Sequence, residues 1–276
     1  MKYSGLSTRI ISVVLLLLLS LGLHAQNKSD QGFVPEVGQQ GKDVVWVPTP
    51  QVLVDTMLSI AKVTSQDFVV DLGSGDGRTV ISAAKRGAHA VGIEYNPDMV
   101  ALSRRNAEKE GVSSRAQFIE ADLYEYDLSK ATVITMFLLP EINLKLRPKL
   151  LDLKPGTRIV SNTFTMGEWE PDYEVETDDN WNSWNTALLW IIPAKVNGTW
   201  KIGNDELQID QQFQMIYGKL TSGAKSYTIT EGRLRGNDIT FRVNDSLYTG
   251  KVSGDRMGGK VSNVTKGNTS DWTATR

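Results

Sequence analysis

Phe68-Val-Val-Asp-Leu-Gly-Ser-Gly-Asp-Gly-Arg78, followed shortly by Ala90-Val-Gly-Ile-Glu94, decides how this chain is read. A buried strand runs into three alternating glycines, Gly73, Gly75 and Gly77, and then into a helix. The glycines permit positive φ and let backbone approach a ligand more closely than any side chain would allow. Downstream, Val80, Ile81, Ala83 and Ala84 make a helical pattern over 78–86 that stops at Gly87, a C′ residue. The second strand ends on Glu94, an acceptor-only carboxylate suited to two adjacent ribose hydroxyls, and Asn96-Pro97 caps the next helix. The stretch therefore predicts a nucleoside-cofactor site at the edge of an α/β sheet. A dinucleotide site is the nearest alternative, but its G-x-G-x-x-G spacing would place a glycine where Arg78 stands. Asp71, inside the first strand, also suits a cationic amino group better than a pyrophosphate.

The same residues resemble the class I S-adenosylmethionine-dependent methyltransferases, and the resemblance implies S-adenosyl-L-methionine as the cofactor. Further motifs narrow it: Val47-Pro-Thr-Pro50, Leu138-Leu-Pro-Glu-Ile-Asn143, Leu146-Arg-Pro-Lys-Leu150 and Leu153-Lys-Pro-Gly-Thr-Arg-Ile-Val-Ser161. From about Trp46 to Ala194 the chain is similar to a bacterial group related to the seven-strand protein-lysine methyltransferases. That group includes relatives of the mitochondrial enzyme that methylates a component of the ATP synthase.

Around this core the chain divides by pattern. Lys2 and Arg9 precede an apolar run over 10–23 and then His24-Ala25-Gln26, so residues 1–25 are expected to be a signal peptide, or else a membrane anchor. Residues 26–43 are expected to be a flexible lead, 44–194 the cofactor-binding domain and 195–276 a β-rich domain. A helix is expected over 52–63, and strands over 68–72, 90–94, 117–121, 132–136, 158–162, 173–176 and 187–192. Helical patterns between the first five strands predict a doubly wound, Rossmann-like sheet. The lack of a helix between the last two predicts the terminal hairpin of the seven-strand methyltransferase sheet. Beyond Pro193, short alternating runs bounded by Gly, Asn or Asp predict a small antiparallel barrel or sandwich of about six to eight strands.

Composition excludes several chemistries. There is no cysteine, hence no disulfide, thiol nucleophile or thiolate metal site. Losing residues 1–25 would leave His89 as the sole histidine, so no metal is expected. It would also leave 28 basic against 32 acidic residues, net −4, which gives no electrostatic footprint for nucleic acid.

Carried over motif by motif, the resemblance implies that Asp71 faces the methionine amino group and that Gly73, Ser74, Gly75 and Gly77 line the cofactor. Thr49 joins them from the proline segment. Glu94 would hold the ribose, and Asp122 would accept from the adenine amino group, flanked by Tyr95 and Leu123. Leu139, Pro140 and Glu141, after the fourth strand, would meet the methyl acceptor. Apolar Leu138, Leu139, Pro140, Phe164 and Trp169 would form a channel that lowers the pKa of an entering amine. Loop packing is the competing expectation for Trp169, Trp181 and Trp184. Asn162 stands where related sequences are expected to carry histidine.

The Asn-Pro-Pro-Tyr tetrad of nucleobase and glutamine methyltransferases is absent. The expected reaction is N-methylation of a protein lysine or similar amine. An exported chain would need its cofactor supplied outside the cytoplasm. The alternative is therefore an exported, catalytically idle domain that binds an adenosyl ligand or a partner.

Overall fold

The computed structural model describes residues 33–178, 184–263, 265 and 267–276. The expected signal at 1–25 and the side chain of Trp181 lie outside the described residues. Among the described residues no helix is long and apolar enough to cross a membrane.

Pro48 and Pro50 hold the chain extended up to helix α1 (Gln51–Ile60), which buries Leu53, Val54, Met57 and Leu58. There follow β1 (Phe68–Leu72), α2 (Arg78–Lys85), β2 (His89–Glu94), α3 (Pro97–Lys109), β3 (Ala116–Glu120) and β4 (Val133–Met136). The domain continues through α4 (Pro140–Leu151), β5 (Arg158–Asn162), β6 (Tyr173–Glu176) and β7 (Thr186–Ile191). The seven strands form one sheet in the order β3-β2-β1-β4-β5-β7-β6. All pairs are parallel except β5 with β7 and β7 with β6, the expected terminal hairpin. The order reverses beside β1, which opens a crevice at the carboxyl ends of β1 and β4.

The two faces are covered unequally. Helices α1, α2 and α3 bury Leu53, Leu58, Val80, Ala84, Val100 and Ala107 against one face. On the other, α4 supplies Ile142, Leu146 and Leu150. The expectation that helices separate the first five strands fails between β3 and β4, where residues 121–132 are turns. Two aspartates explain it: Asp122 Oδ1 accepts from Tyr124 N (2.8 Å) and Asp127 Oδ1 from Ser129 N (2.9 Å). Such local bonds favour turns over helix. Leu128 and Ala131 of this segment still fill the face, with Leu123, Tyr124 and Tyr126 packed beside them.

The remaining strands are β8 (Gly198–Ile202), β9 (Asp205–Gln212), β10 (Met215–Ser222), β11 (Lys225–Arg235), β12 (Asp238–Val243), β13 (Ser246–Ser253), β14 (Arg256–Asn263) and β15 (Asn268–Thr275). They form a closed barrel in which each pairs with its sequence neighbour and β15 returns to β8. Two-residue loops connect β8 through β14, and each opens on a positive φ, at Gly203 and Gly236 for example, as tight hairpins of twisted strands require. Side chains fill the interior, Trp200, Phe241 and Trp272 among them. The closure is slender. β13 and β14 are in register from Ser246–Asn263 to Ser253–Arg256, whereas β15 meets β8 with only Thr275 opposite Lys201.

Phe213 breaks the loop pattern, a bulky residue at φ 52°. Its ring stacks on Trp169 of the methyltransferase-like domain at 5.7 Å between centroids, which accounts for a conformation that side chains otherwise avoid. Gln214 Nε2 donates to Glu170 O (2.8 Å) and Arg233 pairs with Asp172 (2.7 Å), so the barrel is seated on that domain by side chains of both.

The described part of the expected flexible lead is ordered as well. Gly38 N donates to Trp46 O (2.8 Å), Trp46 N to Gln39 O (2.9 Å) and Gly41 N to Val44 O (2.9 Å), making a hairpin over 38–46. Its polar composition hides a folded segment because its partners lie far along the chain: Lys42 Nζ bonds Asp122 Oδ2 at 2.6 Å.

Candidate active site

The glycine loop is built from the end of β2 as much as from β1. Gly73 N and Ser74 N both donate to Ile93 O (2.9 and 3.0 Å), and Gly75 N donates to Glu94 Oε2 (2.9 Å). Glu94 Oε1 accepts from Asn96 N (2.9 Å), so one carboxylate ties the loop to the start of α3. Gly75 has φ 55°, and a Cβ there would lie 2.6 Å from the indole nitrogen of Trp46. Gly77, at φ 85°, opens α2, and a Cβ there would strike the Phe118 ring at 2.7 Å. Both positions are closed to other residues by conformation and by space.

Asp71 is almost fully buried and accepts from Thr135 Oγ1 at 2.6 Å. Burial pushes its carboxyl up to about 7; the Thr135 bond opposes this, and the nearby Asp76 and Glu94 carboxylates add to it. Arg78 pairs with Asp76 (2.6 Å) and reaches back to Thr49 O (2.9 Å), fixing the proline segment against the loop. Thr49 Oγ1 also accepts from Asn162 Nδ2 at 3.4 Å, so Asn162 sits at the site without histidine chemistry.

These groups line a cavity of 570 Å³, together with Trp46, Phe137, Leu138, Leu139, Phe164 and Trp184. Glu94, Tyr95, Asp122 and Leu123 line a neighbouring space of 80 Å³, narrowed by Lys42, Val44 and Trp46 of the hairpin. Asp122 is held below the usual carboxylate range by the Lys42 bond first and by Tyr124 N second. The structure thus brings Thr49, Asp71, Gly73, Ser74, Gly75 and Leu139 to one cavity and Glu94, Tyr95, Asp122 and Leu123 to the other. Gly77 lies behind them, at the start of α2.

Pro140 and Glu141 form the first turn of α4 and line neither cavity; Phe137 and Leu138 take that place. Trp169 belongs to the core, fully buried beside Trp190 and under Phe213, and is no part of a channel. Trp184 does line the cavity. The sequence does not single out Phe137 and Trp184 as acceptor-facing; the only signal it offers is that Phe137 immediately follows β4.

Whether an adenosyl ligand fits can be tested on the site itself. Ser74 Oγ is buried without a hydrogen-bond partner, the glycine backbone opens onto the larger cavity, and a buried carboxylate stands beside it. The residues fit.

The family model described as the ANTKMT methyltransferase domain matches residues 71–173. A protein-lysine N-methyltransferase of Saccharolobus islandicus (strain REY15A) is 45% identical over 152 residues, which cover 54% of this chain and 94% of that protein. The chain belongs to this methyltransferase family. It is a class I methyltransferase and its cofactor is S-adenosyl-L-methionine. The human lysine N-methyltransferase of the ATP synthase c-ring protein is 42% identical over 106 residues, 38% of this chain and 46% of that protein. Of the vertebrate ATP synthase relatives generally, the methyltransferase spans about half the length. A solved structure described as an RNA methyltransferase from Salinibacter ruber, in complex with S-adenosyl-L-homocysteine, is 47% identical. It covers 54% of this chain and 96% of that one, with a TM-score of 0.51. The barrel lies beyond the 71–173 match.

Proposed function

We propose that this methyltransferase N-methylates a lysine or similar amine on a protein. The observation that carries the reading is the wall facing the glycine loop: Phe137, Leu138, Leu139, Phe164 and Trp184 give the acceptor an apolar approach. The bound cofactor supplies an activated methyl group: the amine lone pair forms the new N–C bond as the C–S bond breaks with its electrons on sulfur. The chain's own task is alignment and exclusion of water, effects worth ~7 to 11 kcal/mol together. The apolar wall favours the neutral, nucleophilic amine on entry. In this reading Asp71 receives the cofactor's amino group, Gly73, Ser74 and Gly75 line it, Glu94 holds the ribose, and Asp122 with Tyr95 and Leu123 receives the adenine.

The names of the S. islandicus and human relatives support a lysine acceptor. The S. ruber protein's description points to RNA instead. The overall charge of −2 favours the protein acceptor, since binding of the nucleic-acid backbone draws on clustered cations. The test is incubation with labelled S-adenosylmethionine and either native protein extract or total RNA from the same cells. Label on lysine, absent with Asp71→Ala, is the expected result; label confined to RNA overturns it.

A further inference from the structure

β5 ends in a strained turn that serves no purpose for the sheet. Phe164 N donates to Asn162 O at 2.6 Å, closing a γ-turn about Thr163, whose φ is 59°. A β-branched residue in the left-handed region is an outlier, and such strain persists only where surrounding contacts over-determine it. Here they do. Thr163 N donates to Thr186 O (2.7 Å) and Thr163 Oγ1 to Asn162 Oδ1 (2.9 Å). The carbonyl of Phe164 accepts from Ser161 Oγ (2.8 Å) and Asn143 Nδ2 (3.2 Å), both side chains fully buried.

The product of this arrangement is the position of one ring. Phe164 lies near-parallel to Phe137 at 5.9 Å between centroids, and Trp184 meets Phe137 at 5.8 Å and 63°. The three rings come from three separate connections and line the same cavity as Asp71 and the glycine loop. Each is half-buried, so the cluster is a wall of the cavity and no part of the sealed core. The charged groups lining that cavity are Lys42, Asp43, Asp71, Asp76 and Arg78. Both cations are already paired, Lys42 with Asp122 and Arg78 with Asp76. Ring faces carry negative quadrupole potential and attract onium groups within about 6 Å.

We propose that Phe137, Phe164 and Trp184 form a binding site for an alkylammonium cation, the charged head that the methyl acceptor carries once its nitrogen has gained a methyl group. The proposal rests on the amine-methylation reading above and deepens it. The apolar wall admits the neutral amine, and the ring faces then stabilise the charge that develops on nitrogen. Ser161 and Asn143 are positioning residues, acting through the Phe164 carbonyl.

The probe is choline against 3,3-dimethylbutan-1-ol, an isostere of the same shape without charge, titrated by tryptophan fluorescence into the full chain loaded with S-adenosylhomocysteine. Choline is expected to bind about tenfold more tightly. Phe164→Leu is expected to bring the two ligands within about twofold, and Phe164→Tyr to keep the difference. Phe137→Leu repeats the test should Phe164→Leu lower the melting temperature or the S-adenosylhomocysteine affinity. Equal binding of the two probes to the wild type, no binding of either, or a preference that survives both leucine variants overturns the proposal. Loss of S-adenosylhomocysteine binding by the wild type would instead strike the cofactor site, and label found only on RNA would strike the acceptor reading.

Discussion

Asp71 is under opposed demands. Folding lifts its carboxyl from 3.8 to about 7, so over that interval the folded state holds a proton that the unfolded chain releases. This contribution to stability is complete below pH 3.8 and is lost as the pH rises toward 7, on the order of 4 kcal/mol in all. Asp71→Asn has no such proton to lose. Its melting temperature is expected to exceed that of the wild type at pH 8 and to approach it at pH 4, followed by calorimetry. The same variant is expected to lose at least about tenfold in S-adenosylhomocysteine affinity, as a charge-assisted contact disappears. Wild-type affinity should likewise fall as acidification below about pH 7 protonates the carboxylate. A residue kept against the fold's own preference is legible in sequence, because an aspartate inside an apolar strand is conspicuous there. Phe137, Phe164 and Trp184 are not legible as a cluster. They meet across three connections, and Asn162-Thr163-Phe164 contains no glycine to announce its turn.

Among the elements, the hairpin over 38–46 matters most to the cofactor. Lys42 bonds Asp122 at 2.6 Å and lies 4.7 Å from the centre of the Tyr95 ring, so it occupies the two groups that would receive the adenine. Lys42→Ala is expected to tighten S-adenosylhomocysteine binding roughly threefold at low salt, with the difference fading as salt screens the pair. Calorimetry at two ionic strengths reads both effects, and weaker binding by the variant would mean that the hairpin clamps the ligand. Order in this segment cannot be read from its sequence, since its partners at Tyr95 and Asp122 are remote. The strands are legible to within a residue or so because each carries its own apolar run. The absent helix between β3 and β4 shows the limit of that reading. Periodicity around Leu123, Tyr126 and Leu128 is satisfied equally well by a turn-rich segment lying on the sheet.

At the scale of the molecule, the barrel and the sheet are joined through Phe213 and Trp169. Phe213→Ala removes that stack and the contact of Arg147 with the same ring, and is expected to cost about 2 kcal/mol. Denaturant unfolding followed by tryptophan fluorescence should show a lower midpoint and two separated transitions in place of one. Sequence order alone puts Trp169 in the acceptor channel because it follows β5; a turn of the barrel 44 residues later fixes it in the core instead. The narrow junction of β8 and β15 has a different consequence. Arg276 closes it, donating to Asn197 O (3.1 Å) and Lys195 O (3.3 Å) and lying 4.6 Å from the Trp200 ring. Released, that clasp turns a sheet without edges into one with two, each a template for a strand from elsewhere. The eighth strand of one copy can then be supplied by another, so crowding, more than heat, is the condition under which this chain exchanges its parts.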